Sequence, residues 1–364
     1  MKRILHVIPT LDPGWSQQQL MLLGRGLARD GYRVLIVALH APAEPACEPS
    51  AEVEVCTLGA HDRFDLHAWR RWIEVVRGFE PDVIHAWTPE AYRWAWLAGR
   101  LVRGPGLVVT LPDDGRGEPW RWRVADPWLL GRAARVIFNC QGVRDVVADR
   151  CRLDARAAVI ASGVEPPVAG GSRAELLDQL GLPGDALLIG AAGQLRTDRR
   201  LKDLIWAADM LKFIRGDVHL LIVGDGPHRW RLERFTSQVR IEDKVHFLGR
   251  RSDWPRWLGA LDVFWSARDN AGQPLALMEA MSCGLPVVAT RVPGSEELIE
   301  DGHDGFLVPV GDRLAFGRAT QKLLENPELR AQMGAAGRRK IGEQFSASTM
   351  IARVAEVYED LGRR

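Results

Sequence analysis

The chain has 364 residues, 46% of them apolar and 26% charged, and 48 Lys and Arg against 47 Asp and Glu leave a formal net charge of +1. That length exceeds what one hydrophobic core usually serves, so two domains are expected, and the balanced charge gives no support to a nucleic-acid-binding role. Five scattered cysteines and nine histidines without ligand spacing argue for reduced thiols and against a metal centre, and the lack of a signal peptide or spanning apolar run points to the cytoplasm.

A strand is predicted over 3–8, then a helix capped by Ser16 with Leu20, Leu23 and Leu27 on one face, and after Gly31 a second strand over 33–39. The intervening turn, Leu11-Asp12-Pro13-Gly14-Trp15, has only Gly14 where a dinucleotide fingerprint wants two or three glycines, which speaks against an NAD or flavin enzyme. Strands over 53–58, 82–87, 107–111, 135–138 and 157–160 alternate with helices over 66–79, 92–102 and 143–149, making one doubly wound domain. Among its tryptophans, Trp69, Trp72, Trp87, Trp94 and Trp96 read as core or as rings stacked on arginine. Trp120, Trp122 and Trp128 are candidates for an acceptor or membrane-surface patch.

Residues 166–172, rich in Pro and Gly, read as a linker. After it, strands over 187–192, 218–223, 245–248, 263–265 and 287–289 alternate with helices over 202–213, 228–238 and 274–283, and helices over 314–325, 328–341 and 346–361 close the chain. The last of these carries Met350, Ile351, Val354 and Val357 with no sheet left to cover, so it is expected to cross back onto the N-terminal domain.

The stretch 262–290 organises the second half. An apolar strand leads through a polar loop to Gly272-Gln273-Pro274, a helix runs to Gly284, and a second apolar strand follows. Proline at the first helical position and glycine after the last turn are the expected punctuation. The helix N-terminus is left bare, and its N–H groups and dipole favour an anion, a phosphate being the first expectation. Leu275, Leu277, Met278, Ala280 and Met281 surround most of the helix, so it should be buried with Glu279 inside it. A carboxylate there needs donors, and the hydroxyls of a bound sugar or ribose would serve; the alternative is a Glu reaching solvent from an ordinary amphipathic helix.

The run GQPLALMEAMSCGLPVVATRVPGSEELIEDGHDGFLVP, with VGDGP (223–227), VHFLG (245–249) and SGVE (162–165), closely resembles the retaining family 4 glycosyltransferases. The resemblance implies the GT-B fold, two Rossmann-like doubly wound domains facing across a cleft. These are an acceptor-side domain over 1–166, a domain for the nucleotide-diphosphate-sugar over 167–344, and a helix over 345–364 crossing back. It implies a hexosyltransferase-type transferase acting on a saccharide or lipid acceptor, with the nucleotide-sugar as substrate and neither cofactor nor metal; the Trp120, Trp122 and Trp128 patch adds the expectation of peripheral contact with the inner membrane face. Carried over by position, Glu279 binds the donor ribose, the backbone of Gly272, Gln273, Pro274 and Leu275 cradles the diphosphate, and Arg250 with Arg251 lies where the base is contacted.

Several motif positions are substituted. The carboxylate eight positions before Glu279 is replaced by Ala271, and the basic pair of the GRLxxxKG pattern reads Gln194 and Arg199. The glycine-rich loop reads Gly14-Trp15-Ser16-Gln17, and the histidine after the fourth strand is Pro112, followed by Asp113. Arg199 and Asp113 are the catalytic candidates, with Arg196, Arg200, Asp269 and Asn270 as local replacements for the missing groups. Two readings follow: an active glycosyltransferase, and a degenerate homologue that binds a nucleotide or a protein partner without transfer.

Overall fold

The computed structural model describes residues 1–42, 52–62, 65–102, 104–112, 130–148, 151, 153–166 and 170–361. They divide into two compact units, one formed by Met1–Gly163 with the segment from Ala347 onward and the other by Val164–Ser346.

In the first unit the chain runs β1 (Arg3–Ile8), α1 (Trp15–Arg29), β2 (Arg33–Ala38), β3 (Glu54–Thr57), α2 (Leu66–Phe79), β4 (Val83–Ala86), α3 (Pro89–Leu101), β5 (Gly106–Leu111), β6 (Arg135–Phe138), α4 (Gln141–Ala148) and β7 (Ala157–Val159). The strands form one sheet in the order β3-β2-β1-β4-β5-β6-β7, and every pair is parallel. Central strands such as β1 (RILHVI) and β4 (VIHA) are almost wholly buried, which is why they read as continuous apolar runs rather than alternating ones. Helix starts follow local chemistry: Asp65 caps α2 and Thr88 caps α3 ahead of Pro89. At α1 the expected cap is corrected, because Gly14 occupies the cap position and Ser16 lies inside the first turn.

The second unit runs α5 (Arg173–Leu180), β8 (Leu187–Ala192), α6 (Leu201–Lys212), β9 (Val218–Val223), α7 (Arg229–Gln238), β10 (Val245–Gly249), β11 (Val263–Ser266), α8 (Leu275–Ser282), β12 (Val287–Thr290), α9 (Pro293–Glu296), β13 (Phe306–Val308), α10 (Arg313–Glu325) and α11 (Pro327–Gln344). Its parallel sheet has the order β10-β9-β8-β11-β12-β13. Three elements escaped the sequence reading. β13 is only three residues of the GFLVP run, α9 is four residues long, and α5 begins directly after the stretch read as linker, whose last residue, Ser172, forms a reciprocal capping box with Glu175.

The final helix, α12 (Ala347–Leu361), packs within the first unit with Met350, Val354 and Tyr358 buried. Each such side chain contributes about 1.5–3 kcal/mol by leaving water. Polar contacts fix its register: Lys2 reaches the Tyr358 carbonyl (3.2 Å) and Glu359 (2.8 Å), and the Tyr32 hydroxyl donates to Glu359 (2.9 Å). The Tyr358 hydroxyl lies 2.6 Å from His85 Nδ1, whose Nε2 lies 2.7 Å from Thr110 Oγ1. Burial pushes His6 down to about 3 and His85 well below its ordinary range, so both imidazoles are neutral. Trp87 donates to His6 Nδ1 (3.1 Å), Trp72 and Trp94 are buried, Trp69 stacks on Trp94 at 3.8 Å, and Arg100 covers Trp96. Trp120, Trp122 and Trp128 lie outside the described residues.

Candidate active site

β11 delivers the chain to a loop that ends at α8. Pro274 stands at the cap position instead of the expected first helical position, so α8 starts one residue later, at Leu275. No side chain caps this end, and the earliest intrahelical bonds run from Leu277 (3.0 Å) and Met278 (3.2 Å) to the Pro274 carbonyl. The amides of the first turn therefore present the positive end of the helix. Gly272, Gln273 and Pro274 are buried and Leu275 is half-buried. The turn into α9 packs against this loop so closely that a Cβ on Gly294 would sit 2.4 Å from the Gly272 carbonyl oxygen, so only glycine fits there.

Leu277, Met278, Ala280 and Met281 are buried, as the pattern around the helix requires. Glu279 is half-buried beside them; it reaches no cation, and no hydrogen bond to its carboxyl group comes from the described residues. Burial alone pushes it up to about 7. A carboxyl group held so near neutrality behind an uncapped helix start is suited to accept hydrogen bonds from an incoming hydroxyl pair.

The second loop of the site follows β8. It is held by backbone bonds from Gly193 to Val223 (2.9 Å) and from Leu195 to Asp225 (3.0 Å), and a Cβ on Gly224 would lie 2.0 Å from the Gly193 oxygen. Gln194 is exposed and Arg199 half-buried at the end of a short 3-10 turn, Thr197–Arg199. The proposed replacements for the missing charges are engaged internally. Arg196 donates to Asp198 (3.0 Å), and Arg200 pairs with Asp203 (2.6 Å) and Asp269 (3.6 Å). Asn270 donates to Asp198 (3.0 Å) and accepts from Arg268 (2.9 Å). Asp198 and Arg268 were not legible as site residues, since Asp198 and Asn270 are 72 positions apart. Arg250 is exposed after β10, whereas Arg251 makes a two-point pair with Asp253 (2.9 and 2.7 Å) that Trp257 completes.

On the first unit Gly14 is exposed with an extended backbone at the start of α1. The Trp15 indole turns into its own unit, donating to Ser162 Oγ (3.1 Å) and packing on Trp87 at 5.9 Å. Gln19 binds the Gly163 backbone at both its N–H (3.0 Å) and its carbonyl (2.8 Å). Pro112 follows β5 and is half-buried; Asp113 lies outside the described residues. Among those described, Glu300, His303 and Asp304 are the one carboxylate and imidazole group close enough to share an ion, but Asp304 is committed to Lys340 (3.2 Å) and to the Glu300 amide (2.7 Å).

Known families match both halves of this chain. The model of the glycosyl transferases group 1 covers residues 172–340, and that of glycosyltransferase family 4 covers residues 16–167. This chain belongs to the family 4 glycosyltransferases. The glycosyltransferase is 28% identical over 366 residues to the D-inositol 3-phosphate glycosyltransferase of Stackebrandtia nassauensis, covering 90% of this chain and 82% of that one. Against the N-acetyl-alpha-D-glucosaminyl L-malate synthase of Bacillus anthracis identity is 30% over 189 residues, 52% of this chain and about half (49%) of that protein. Anabaena Alr3699/HepE, solved in complex with UDP and glucose, superposes with a TM-score of 0.86 at 22% identity over 99% of this chain and 100% of that one. The fold is therefore GT-B, built from two Rossmann-like domains. No described helix is long and apolar enough to cross a membrane.

Proposed function

We propose that this glycosyltransferase binds a nucleoside-diphosphate sugar on its second unit and transfers the sugar, with retention of configuration, to a saccharide or lipid acceptor held by the first. The observation that carries the reading is Glu279, a carboxyl group raised to about 7 by burial on a helix whose first turn no side chain caps. The ribose hydroxyls donate to Glu279, and the backbone of residues 272–275 receives the diphosphate. The nucleotide-sugar is the substrate, and the reading needs no metal or organic cofactor. HepE bound to UDP-glucose and TarM bound to UDP and alpha-GlcNAc-glycerol are fold neighbours at 22% and 12% identity whose ligands agree with it. Contact with the inner membrane face through residues 120–128 belongs to the same proposal.

A second reading, nucleotide binding without brisk transfer, is favoured by one set of facts. Asn270, Asp269, Arg196 and Arg200 are occupied with partners inside the unit, so they do not stand ready to replace the groups lost at Ala271 and Gln194. Losing one well-placed charge from such a site costs about 2.7–4 kcal/mol of barrier.

Calorimetry against UDP, GDP and ADP, paired with a donor-hydrolysis assay, tests both. One of these nucleotides is expected to bind, and Glu279→Ala to weaken it about ten- to a hundredfold, the worth of one charged hydrogen bond. Brisk hydrolysis by the unaltered protein would exclude the second reading, and no binding of any nucleotide would exclude both.

A further inference from the structure

The two loops of the donor side are joined by a chain of hydrogen bonds that no local motif contains. Arg268, 5% exposed, is locked to β12 by exchange with Thr290: its N–H donates to Thr290 Oγ1 (2.7 Å), which donates back to its carbonyl (2.8 Å). Its Nε donates to Asn270 Oδ1 (2.9 Å), and Asn270 Nδ2 donates to Asp198 Oδ2 (3.0 Å). The other carboxylate oxygen accepts from Arg196 Nε (3.0 Å), and the Asp198 carbonyl accepts from the Asp269 N–H (3.2 Å). Arg199 Nε stands 3.8 Å from Asp198 Oδ2.

The direction of this chain is fixed. Arg268 can only donate and the Asp198 carboxylate can only accept, so Asn270 between them has one permitted amide orientation. A partly buried charged cluster of this kind gives little net stability over apolar packing, because desolvation offsets the attraction. Its specific effect is geometric: it sets the backbone at 269–271, directly ahead of Gly272.

We propose that Asp198, acting through Asn270, is a positioning residue for the diphosphate of the bound nucleotide. The proposal rests on the donor-binding reading above and adds a residue to it. Asp198→Asn places an amide N–H opposite that of Asn270 or takes the acceptor from Arg196, so the chain breaks. In the double variant Asp198→Asn/Asn270→Asp the hydrogen bonds from Arg268 through residues 270 and 198 to Arg196 are restored with the central donor and acceptor exchanged, and the total charge is unchanged.

The affinities of UDP and UMP, GDP and GMP, and ADP and AMP are measured for the unaltered protein and the variants. For the nucleotide that binds, Asp198→Asn is expected to cut the gain in affinity from monophosphate to diphosphate about tenfold, and the double variant to recover it to within about twofold. If Asp198→Asn does not fold, Asn270→Ala breaks the same bond and carries the same expectation. Equal weakening of both phosphates without recovery in the double variant would show a merely structural residue and overturn the proposal, as would an unchanged ratio. Failure of the unaltered protein to bind any nucleotide is a distinct result that removes the donor-binding reading and this proposal with it.

Discussion

Glu279 carries a conflict between stability and binding that a single substitution can expose. Its folded value of about 7 lies above the ordinary 4.5, so as pH rises the unfolded chain ionises first while the folded one keeps its proton. The group is neutral in both states below 4.5, its destabilising effect grows from there to about 7, and above 7 it is constant at up to about 3 kcal/mol. Glu279→Gln in the ligand-free protein should therefore raise the resistance of the second unit to urea at pH 8, with the advantage shrinking to nothing by about pH 4.5. The same variant should bind the nucleotide more weakly at pH 8. Equal stability of the two proteins across that range would mean that the carboxyl group is solvated and not desolvated by its helix.

Between elements, the position of α8 depends on how closely α11 can approach it. A Cβ on Gly334, in the middle of α11, would stand 1.9 Å from the Gly284 carbonyl oxygen that follows α8. Glycine costs about 1 kcal/mol of helix propensity relative to alanine, and this crossing is what justifies it. Gly334→Ala should destabilise the protein by about 1–3 kcal/mol despite the better propensity, because two backbones must separate. Gly342→Ala, on the same helix with nothing near its Cβ, should stabilise by up to about 1 kcal/mol. Thermal melts of the two variants moving in the same direction would show that packing against Gly284 does not govern α11.

At the level of the whole chain, the first unit is completed only by the last segment. α12 supplies Met350, Val354 and Tyr358 to its core and the hydroxyl partner of buried His85. Deleting the chain from Ala347 onward should lower the transition of the first unit in calorimetry and leave that of Val164–Ser346 in place, since the latter loses no core residue. A single unshifted melting profile after truncation would contradict that division of the core.

Much of this was decided by the sequence itself. Continuous apolar runs gave the buried parallel strands, and the apolar residues around Glu279 gave the buried faces of its helix, because each of these rests on neighbours a few positions away, whereas the caps Asp65 and Thr88 show only in the structure. The family resemblance rested on the same contiguous run. Tertiary structure decided what depends on distant partners. β13 is too short to show a period and is a strand because Phe306–Val308 pairs with β12. The Trp15 indole faces its own unit because Ser162, 147 positions away, accepts its N–H. Asn270 and Arg196 read as spare polar groups until the fold brought Asp198 between them, since a hydrogen bond reports the distance between two atoms and not the number of residues that separate them.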